Sequence, residues 1–131
     1  METIPRRIFN LLPEDEEYLL RCSYRWETIV DGAMRWLLIY DYTIPFGYIQ
    51  QTSTVAFLLA SYYSGACLDM FYFSPTLTLK TGRTINATNC TQAIEGILYQ
   101  RWSRHRKWRP YSDNLETHIS AMDMCLQKEV G

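Results

Sequence analysis

Apolar and polar residues alternate along the first half of the chain with the period of a β-strand. From Ser23 onward, Tyr24, Trp26 and Thr28 share one face, which is the pattern of a half-buried strand. An Asp-Gly dipeptide follows at residues 31–32, and its tolerance of positive φ predicts the centre of a tight hairpin. The return strand is predicted over residues 34–42, which are rich in Trp, Leu, Ile and Tyr.

Two more strands are predicted before the middle of the chain. Val55, Phe57 and Leu59 alternate with smaller neighbours, which predicts a third strand over residues 52–61. A fourth is predicted over residues 68–73 and stops at Pro75, because proline cannot donate to a strand ladder.

Helices are predicted at both ends of this strand region. Pro13 suits the first position of a helix, and the four acidic residues after it suit the positive end of the helix dipole, so a helix is predicted over residues 13–21. Near the C-terminus, Asp113 with Glu116 has the spacing of a capping box. An apolar stripe at helical spacing then predicts a helix packed on the sheet; it consists of Leu115, Ile119, Met122 and Leu126.

Residues 76–112 lack sustained periodicity, and only residues 93–102 suggest a short helix. A long irregular segment in a compact domain is more often functional than idle. The pattern therefore predicts an α+β fold: a helix, a four-stranded antiparallel meander, a long irregular segment and a closing helix. At 131 residues the chain is long enough for one core. We expect residues 1–12 to form an N-terminal extension and residues 13–131 the domain.

Composition and charge narrow the class of protein. With 47% hydrophobic residues, general disorder is excluded. No apolar run has the length of a signal peptide or a membrane span, so we expect a cytoplasmic protein with no membrane partner. Four cysteines without metal-type spacing give no reason to expect a metal site or a cofactor; they are Cys22, Cys67, Cys90 and Cys125.

Candidate chemistry is concentrated between Tyr99 and Pro110, which hold five of the thirteen Lys and Arg residues. Ser103 lies two residues from His105, so a weak nucleophile has a nearby base. The arginines in this segment would stabilise an oxyanion or attract an acidic partner. The alternative interpretation is a solvated basic loop whose tryptophans complete the core.

A set of motif residues stands out in the second half of the chain: Met70 to Phe73, Pro75, Leu77, Gly82, Gln100 to His105, Trp108, Arg109, Pro110, Asp113 and Leu115. Its most specific part is the Gln, Arg, Trp, Ser, Arg, His run at residues 100–105. These residues resemble the prokaryotic E2 family E, a bacterial family with the ubiquitin-conjugating (UBC-like) fold, and the resemblance covers roughly residues 11–128.

The resemblance implies a carrier step in conjugation. A ubiquitin-like protein, activated by an adenylating enzyme, would pass to a side chain of this protein as an ester intermediate and then to a lysine amine of a target protein. The resemblance also implies a genetic setting: members of the family are typically encoded beside the ubiquitin-like protein and its activating enzyme, and they are linked to bacterial defence against phage.

The chain departs from the eukaryotic pattern at the expected catalytic positions. Ser74, Pro75 and Thr76 stand where a His, Pro, Asn motif would follow the fourth strand, and no cysteine lies in the expected nucleophile segment. Two acceptors remain. Ser103 has the position and would form an oxyester, whereas Cys90 has the more reactive side chain.

Other residues of the basic segment have two interpretations each. Arg101, Arg104 and Arg109 either bind an acidic partner or support the loop, and Trp102 and Trp108 are expected to anchor it. Two other functions remain open at this point. One is a noncatalytic adaptor of the same fold; the other, ranked last, is a single-strand nucleic-acid binder that uses Tyr99, Trp102, Trp108 and Tyr111 as stacking platforms.

Overall fold

The computed structural model describes residues 4–60, 63, 68, 70–104, 107–110 and 112–130. In this part of the chain the structure contains two helices and six strands. They are α1 (Pro13–Arg21), β1 (Arg25–Asp31), β2 (Met34–Thr43), β3 (Thr52–Leu58), β4 (Phe71–Ser74), β5 (Cys90–Ile94), β6 (Ile97–Trp102) and α2 (Leu115–Val130).

All the strands belong to one antiparallel sheet in the order β1-β2-β3-β4-β6-β5. The first four strands follow each other in chain order, but the sheet has six strands rather than the four expected. The prediction that residues 76–112 are irregular is therefore wrong for the part that forms β5 and β6.

The short helix suggested over residues 93–102 is also wrong, because these residues form most of a β-hairpin. Glu95 and Gly96 connect its strands with φ angles of 50° and 78°. Positive φ at both central residues is the conformation of a two-residue hairpin turn, and it interrupts any helix. Across the turn, Ile94 pairs with Ile97.

The predicted boundaries of the other elements agree with the structure to different degrees. The helix over residues 13–21 is confirmed. In the first hairpin Asp31 is itself paired with Met34, so the turn is Gly32 and Ala33 rather than residues 31–32. β4 begins at Phe71 rather than at residue 68, and the carbonyl of the preceding Met70 accepts a hydrogen bond from Nε2 of His118 at 3.3 Å.

Two hydrophobic cores lie on opposite faces of the sheet. The larger is between the sheet and the helices and includes Leu19 of α1 and Met122 of α2. The smaller contains strand residues only, among them Trp36, Tyr72 and Tyr99. In β4 the alternation is direct, because Phe71 and Phe73 belong to the larger core and Tyr72 to the smaller.

The sheet curls around the smaller core until its outer strands approach each other. The N–H of Glu95, in the β5–β6 turn, donates a hydrogen bond of 2.8 Å to the carboxylate of Asp31 at the end of β1. Arg6 forms ion pairs with Glu27 of β1 at 3.0 Å and with Glu95 at 2.6 Å. These contacts fix the β5–β6 hairpin against the start of the chain.

Helix α2 is capped by Asn114, not by Asp113 as the capping-box spacing predicted. Oδ1 of Asn114 accepts a hydrogen bond from the N–H of Thr117 at 3.0 Å, and Oγ1 of Thr117 accepts one from the N–H of Asn114 at 2.9 Å. Asp113 cannot serve, because its carboxylate accepts a hydrogen bond from the N–H of Arg109 at 2.7 Å. Neither helix in the described part of the chain is long and apolar enough to span a bilayer.

Replacing the cap should destabilise the protein measurably. We expect Asn114→Ala to lower the free energy of unfolding by about 1 kcal/mol, because the N–H of Thr117 loses its acceptor. Chemical denaturation followed by circular dichroism measures the change. Ser120→Ala, at an exposed position inside the same helix, is the control and should change stability by less. Equal losses in the two variants would contradict the assignment of the cap.

Candidate functional site

Ser103 directly follows β6 and continues its hydrogen bonding. Its N–H donates to the carbonyl of Ala87 at 3.0 Å, which joins it to the segment before β5. Along β6, Gln100 and Trp102 are buried on the helix side, so the alternation places Arg101 and Ser103 on the opposite face. Ser103 is half-buried, and its hydroxyl has no hydrogen-bond partner among the described residues.

Cys90 begins β5 and is paired in register with Arg101 of β6. Its side chain is exposed. The hairpin therefore brings the two predicted acceptors, Cys90 and Ser103, to the same end of two neighbouring strands, with Arg101 next to both along the ladder. His105, the predicted base, lies outside the described residues.

Trp102, which precedes Ser103, lies in the larger core. It is fully buried, and its Nε1 donates a hydrogen bond to Oε1 of Gln100 at 2.9 Å. The same Oε1 accepts the N–H of Leu77 at 3.1 Å, and the Gln100 amide nitrogen donates to the Leu77 carbonyl at 3.4 Å. One buried amide thus connects β6 to the segment that follows β4 and fixes the strand preceding Ser103.

Arg104 supports the segment rather than extending into solvent. Its guanidinium carbon lies 4.8 Å from the centre of the Trp102 ring, and its Nη2 forms an ion pair with Glu129 of α2 at 3.1 Å. Glu129 also binds Arg83 at 3.4 Å. Arg104 and Glu129 are only 18% and 16% exposed, so this pair is shielded from the solvent that weakens surface ion pairs. A single carboxylate therefore links α2 to chain segments on both sides of Ser103.

The other end of the basic segment contacts Tyr63, α2 and the residue Asp113 just before α2. The N–H of Arg109 is held by Asp113, while the Arg109 side chain is exposed. Trp108 is partly buried, with its ring centre 6.0 Å from that of Tyr63 and 6.3 Å from that of His118. The Arg109 guanidinium is thus exposed but has its Nε 3.9 Å from the Asp113 carboxylate, and Trp108 packs against Tyr63 and His118.

Arg101 differs from Arg104 in having an unused donor. Its Nε is buried and has no hydrogen-bond partner among the described residues. The residue lies between Tyr72 and Cys90 in the sheet register. A buried guanidinium N–H beside two candidate nucleophiles is chemically suited to stabilise a developing negative charge on oxygen.

Asp15 holds the N-terminus of α2 from the opposite helix. Its Oδ1 accepts a hydrogen bond from the N–H of Leu115 at 3.3 Å. Burial raises the pKa of this carboxyl to about 6, although the neighbouring Tyr63 hydroxyl and the Leu115 N–H partly oppose the shift. The carboxylate thus joins α1 to the helix that follows the basic segment.

Sequence reasoning did not assign roles to Arg83, Glu129, Asp15 or the Gln100 amide. Glu129 is distant in sequence from the basic segment and has no local signal. Gln100 belongs to the motif run, but nothing in the run shows that its amide is buried. Asp15 was included among four acidic residues expected at a helix start, whereas it is buried.

The burial of two aromatic residues removes half of the proposed nucleic-acid platform. Tyr99 lies in the smaller core and Trp102 in the larger. Neither ring is available for stacking on a base, which requires an exposed aromatic face. Trp108 is partly buried, and Tyr111 lies outside the described residues. The geometry therefore disfavours the nucleic-acid hypothesis.

The chain was compared with protein-family models, curated proteins and solved structures. The sequence model described as prokaryotic E2 family E matches residues 11–129, which include α1, all six strands and nearly all of α2. No curated protein and no solved structure matches the chain.

Loss of the Glu129 charge should weaken the support of the site. We expect Glu129→Gln to lower the free energy of unfolding by about 1 kcal/mol, because Arg104 loses a partly buried ionic partner. Thermal and urea denaturation measure the effect. The matched control is Glu17→Gln, which removes a 76%-exposed carboxylate 3.9 Å from Arg21 and should cost less than about 0.5 kcal/mol. A control loss as large as that of Glu129→Gln would contradict this role.

The raised pKa of Asp15 predicts a specific pH dependence. Because the folded-state pKa of about 6 exceeds the ordinary value of 3.8, this group stabilises the fold most at low pH and loses that contribution as pH rises through 6. Asp15→Asn keeps an acceptor for Leu115 and does not titrate. The variant should therefore gain roughly 2 to 3 kcal/mol relative to the unmodified protein between about pH 4 and pH 7.

Urea titrations at several pH values measure this difference. Glu27, whose pKa is lowered to about 2 chiefly by its hydrogen bond with Arg6, titrates alike in both proteins, so its contribution cancels. A stability difference that stays constant across the pH range would contradict the buried carboxylate as its source.

Proposed function

Since the chain belongs to the prokaryotic E2 family E, we propose that it accepts the activated C-terminus of a ubiquitin-like protein on a side chain and transfers it to an amine. Membership supports a role of the ubiquitin-conjugating type, with a ubiquitin-like protein and its activating enzyme as general partners. The ester intermediate, the acceptor residue and a target lysine are the parts that we add.

The placement of Ser103 carries this proposal. Its main chain is bound to Ala87, its predecessor Trp102 is fixed in the core and its successor Arg104 is held by Glu129. Both flanking side chains are therefore anchored, while Ser103 itself is only half-buried. A rigid backbone that presents one hydroxyl reduces the entropy lost when an acceptor is aligned with a carbonyl carbon.

The proposed chemistry has two steps. First, the Oγ of Ser103 attacks the activated carbonyl carbon, a C–O bond forms, the bond to the activating enzyme breaks, and the hydroxyl proton passes to the leaving group. Second, a target amine attacks the oxyester, an amide bond forms, and the serine oxygen regains a proton from the amine. Both steps pass through a tetrahedral oxyanion, for which the free Nε–H of Arg101 is the proposed donor.

Cys90 is the alternative acceptor. Its thiol is exposed at the start of β5, opposite Arg101, and would form a thioester by the same two steps. Sulfur is the better nucleophile, whereas Ser103 has the family motif position and the supported backbone. The expectations of a cytoplasmic location and of a role in defence against phage remain predictions from the sequence.

Intact mass spectrometry of the charging reaction tests the proposal. We expect an adduct when the protein is mixed with the activating enzyme, the ubiquitin-like protein and ATP, and we expect it to resist a thiol reductant but to be cleaved by hydroxylamine. Ser103→Ala should lower adduct formation by at least about 100-fold, because the attacking oxygen is removed. Ser112→Ala, at an exposed serine nine residues further along the chain, is the control.

The other outcomes separate the alternatives. An adduct that is lost to the thiol reductant, and that Cys90→Ala abolishes while Cys22→Ala does not, would move the acceptor to Cys90. If the activating enzyme is charged and no adduct forms on this protein, the transfer function is wrong and the noncatalytic adaptor replaces it.

A further inference from the structure

The two outer strands of the sheet, β1 and β5, differ in what pairs with their outer edges. On β1, residues 6–8 cover the outer edge, since the N–H of Thr28 donates to the carbonyl of Arg6 and the N–H of Ile8 donates to the carbonyl of Thr28, each at 3.1 Å. On β5, among the described residues, no other strand pairs with the outer edge, and the contacts made there are side-chain ones: Asp31 and Arg6 bind Glu95 in the turn, and Nε2 of Gln92 lies 3.9 Å from Sδ of Met34. This open edge begins at Cys90, at the candidate site.

The alternation of hydrogen-bonded and non-bonded residue pairs along the β5–β6 hairpin shows which main-chain N–H and C=O groups of β5 face away from β6. Ile94 and Ile97 flank a two-residue turn and therefore form a hydrogen-bonded pair, and such pairs alternate with non-bonded ones along the ladder. Thr91 and Ala93 consequently direct their N–H and C=O groups away from β6. Ser103 fits the same phase, because its N–H bonds back toward the β5 side at Ala87.

These outward groups are accessible. The side chains of Thr91 and Ala93 are both exposed. The carbonyl of Ala93 accepts a hydrogen bond of 3.0 Å from Nε2 of Gln92, its own neighbour, and a flexible amide of this kind can be displaced by a new strand. Three main-chain groups remain for an incoming chain: the N–H and C=O of Thr91 and the N–H of Ala93.

The composition of β5 also favours pairing. Exposed edges are commonly protected by charged residues, proline or bulges, whereas β5 is uncharged, contains no proline and is in regular register with β6. Leu98, opposite Ala93, is 64% exposed and offers apolar surface beside the edge. An edge of this kind is a template for an extended peptide.

We propose that the outer edge of β5 binds the extended C-terminal tail of the ubiquitin-like protein as a seventh strand. This inference rests on the proposed function and adds where the partner is held. The tail must end at the acceptor, and both candidate acceptors lie at the Cys90 end of β5. The tail therefore runs from the Ile94 end toward Cys90, antiparallel to β5.

A second copy of this protein is a poorer occupant of the edge. Two β5 strands paired with each other would place a neighbouring chain beside Cys90 at both sites, and the carbonyl of an activated tail could not then reach the acceptors. The tail satisfies both observations at once, because it supplies main-chain groups to Thr91 and Ala93 and ends where the acceptors begin.

Removing one outward N–H tests the proposal. Thr91→Pro deletes the donor without touching the bonds to β6, and proline is tolerated on an edge strand when its nitrogen faces outward. We expect the KM of charging for the ubiquitin-like protein to rise by about tenfold, because at least one main-chain hydrogen bond to the tail is lost, while kcat changes little.

The matched control is Val30→Pro on the opposite edge. Val30 of β1 is 46% exposed and occupies the equivalent outward phase, since the bonded pair Asp31 and Met34 closes its hairpin. Charging of this variant should match that of the unmodified protein. Thermal denaturation of both variants establishes that each is folded at the assay temperature.

Amide hydrogen exchange observes the edge directly. With the intact ubiquitin-like protein present, the amides of Thr91 and Ala93 should exchange more slowly by about tenfold, whereas a ubiquitin-like protein without its C-terminal tail should have no such effect.

Each other result overturns the inference in a distinct way. If the adduct forms normally in Thr91→Pro and the two edge amides stay unprotected, the edge is not the binding site and the carrier function stands. If Thr91 and Ala93 become protected as this protein alone is concentrated, a second copy is the occupant. If no adduct forms even on the unmodified protein, the proposed function fails and this inference fails with it.

Discussion

The register of β6 is the constraint on which the site depends. Successive side chains of this strand serve different environments: Tyr99 lies in the smaller core, Gln100 and Trp102 lie on the helix side, and Arg101 lies between neighbouring strands beside Cys90. A slip of one residue would move Trp102 out of the core and Arg101 into it. The Gln100 amide opposes such a slip, because it is bonded to both Trp102 and Leu77.

As a consequence, the backbone around the candidate acceptor Ser103 is held in place by its neighbours. Ser103 follows a strand with partners on both sides, and the next residue is tied to α2 by Glu129. Two further contacts hold the surroundings of the site, since Arg6 forms an ion pair with Glu95 in the hairpin turn and Asp15 accepts a hydrogen bond from the N–H of Leu115 at the start of α2. Preorganisation of this kind suits a group-transfer reaction, in which alignment of the reacting atoms supplies much of the rate.

Periodicity predicted the first hairpin and most of α2, which bury one clear face, and Pro13 with the acidic residues after it predicted α1. Periodicity failed for the β5–β6 hairpin, because β5 is at an edge and both Thr91 and Ala93 are exposed, so the strand has no regular apolar alternation. The sequence signal that remained was Gly96, whose positive φ allows the turn.

Partners distant in sequence were equally inaccessible to sequence reasoning. The competition between Asp113 and Asn114 for the cap depends on where the N–H of Arg109 lies, and the role of Glu129 depends on the packing of α2. The motif run did identify the family, but residues 97–102, which precede Ser103, form a strand rather than the suggested helix. It did not indicate that this strand has a hydrophobic core on each of its two faces.

The separation of the two cores also has a spectroscopic consequence. Trp36 is fully buried in the smaller core, where it packs edge-on against Tyr72 at 5.0 Å, and Trp102 is fully buried in the larger. Each core therefore contains a tryptophan whose fluorescence emission changes in intensity or wavelength when water enters. Two single-tryptophan versions of the protein would report on the two layers separately, and their emission during unfolding would tell whether the sheet loses both faces in one event.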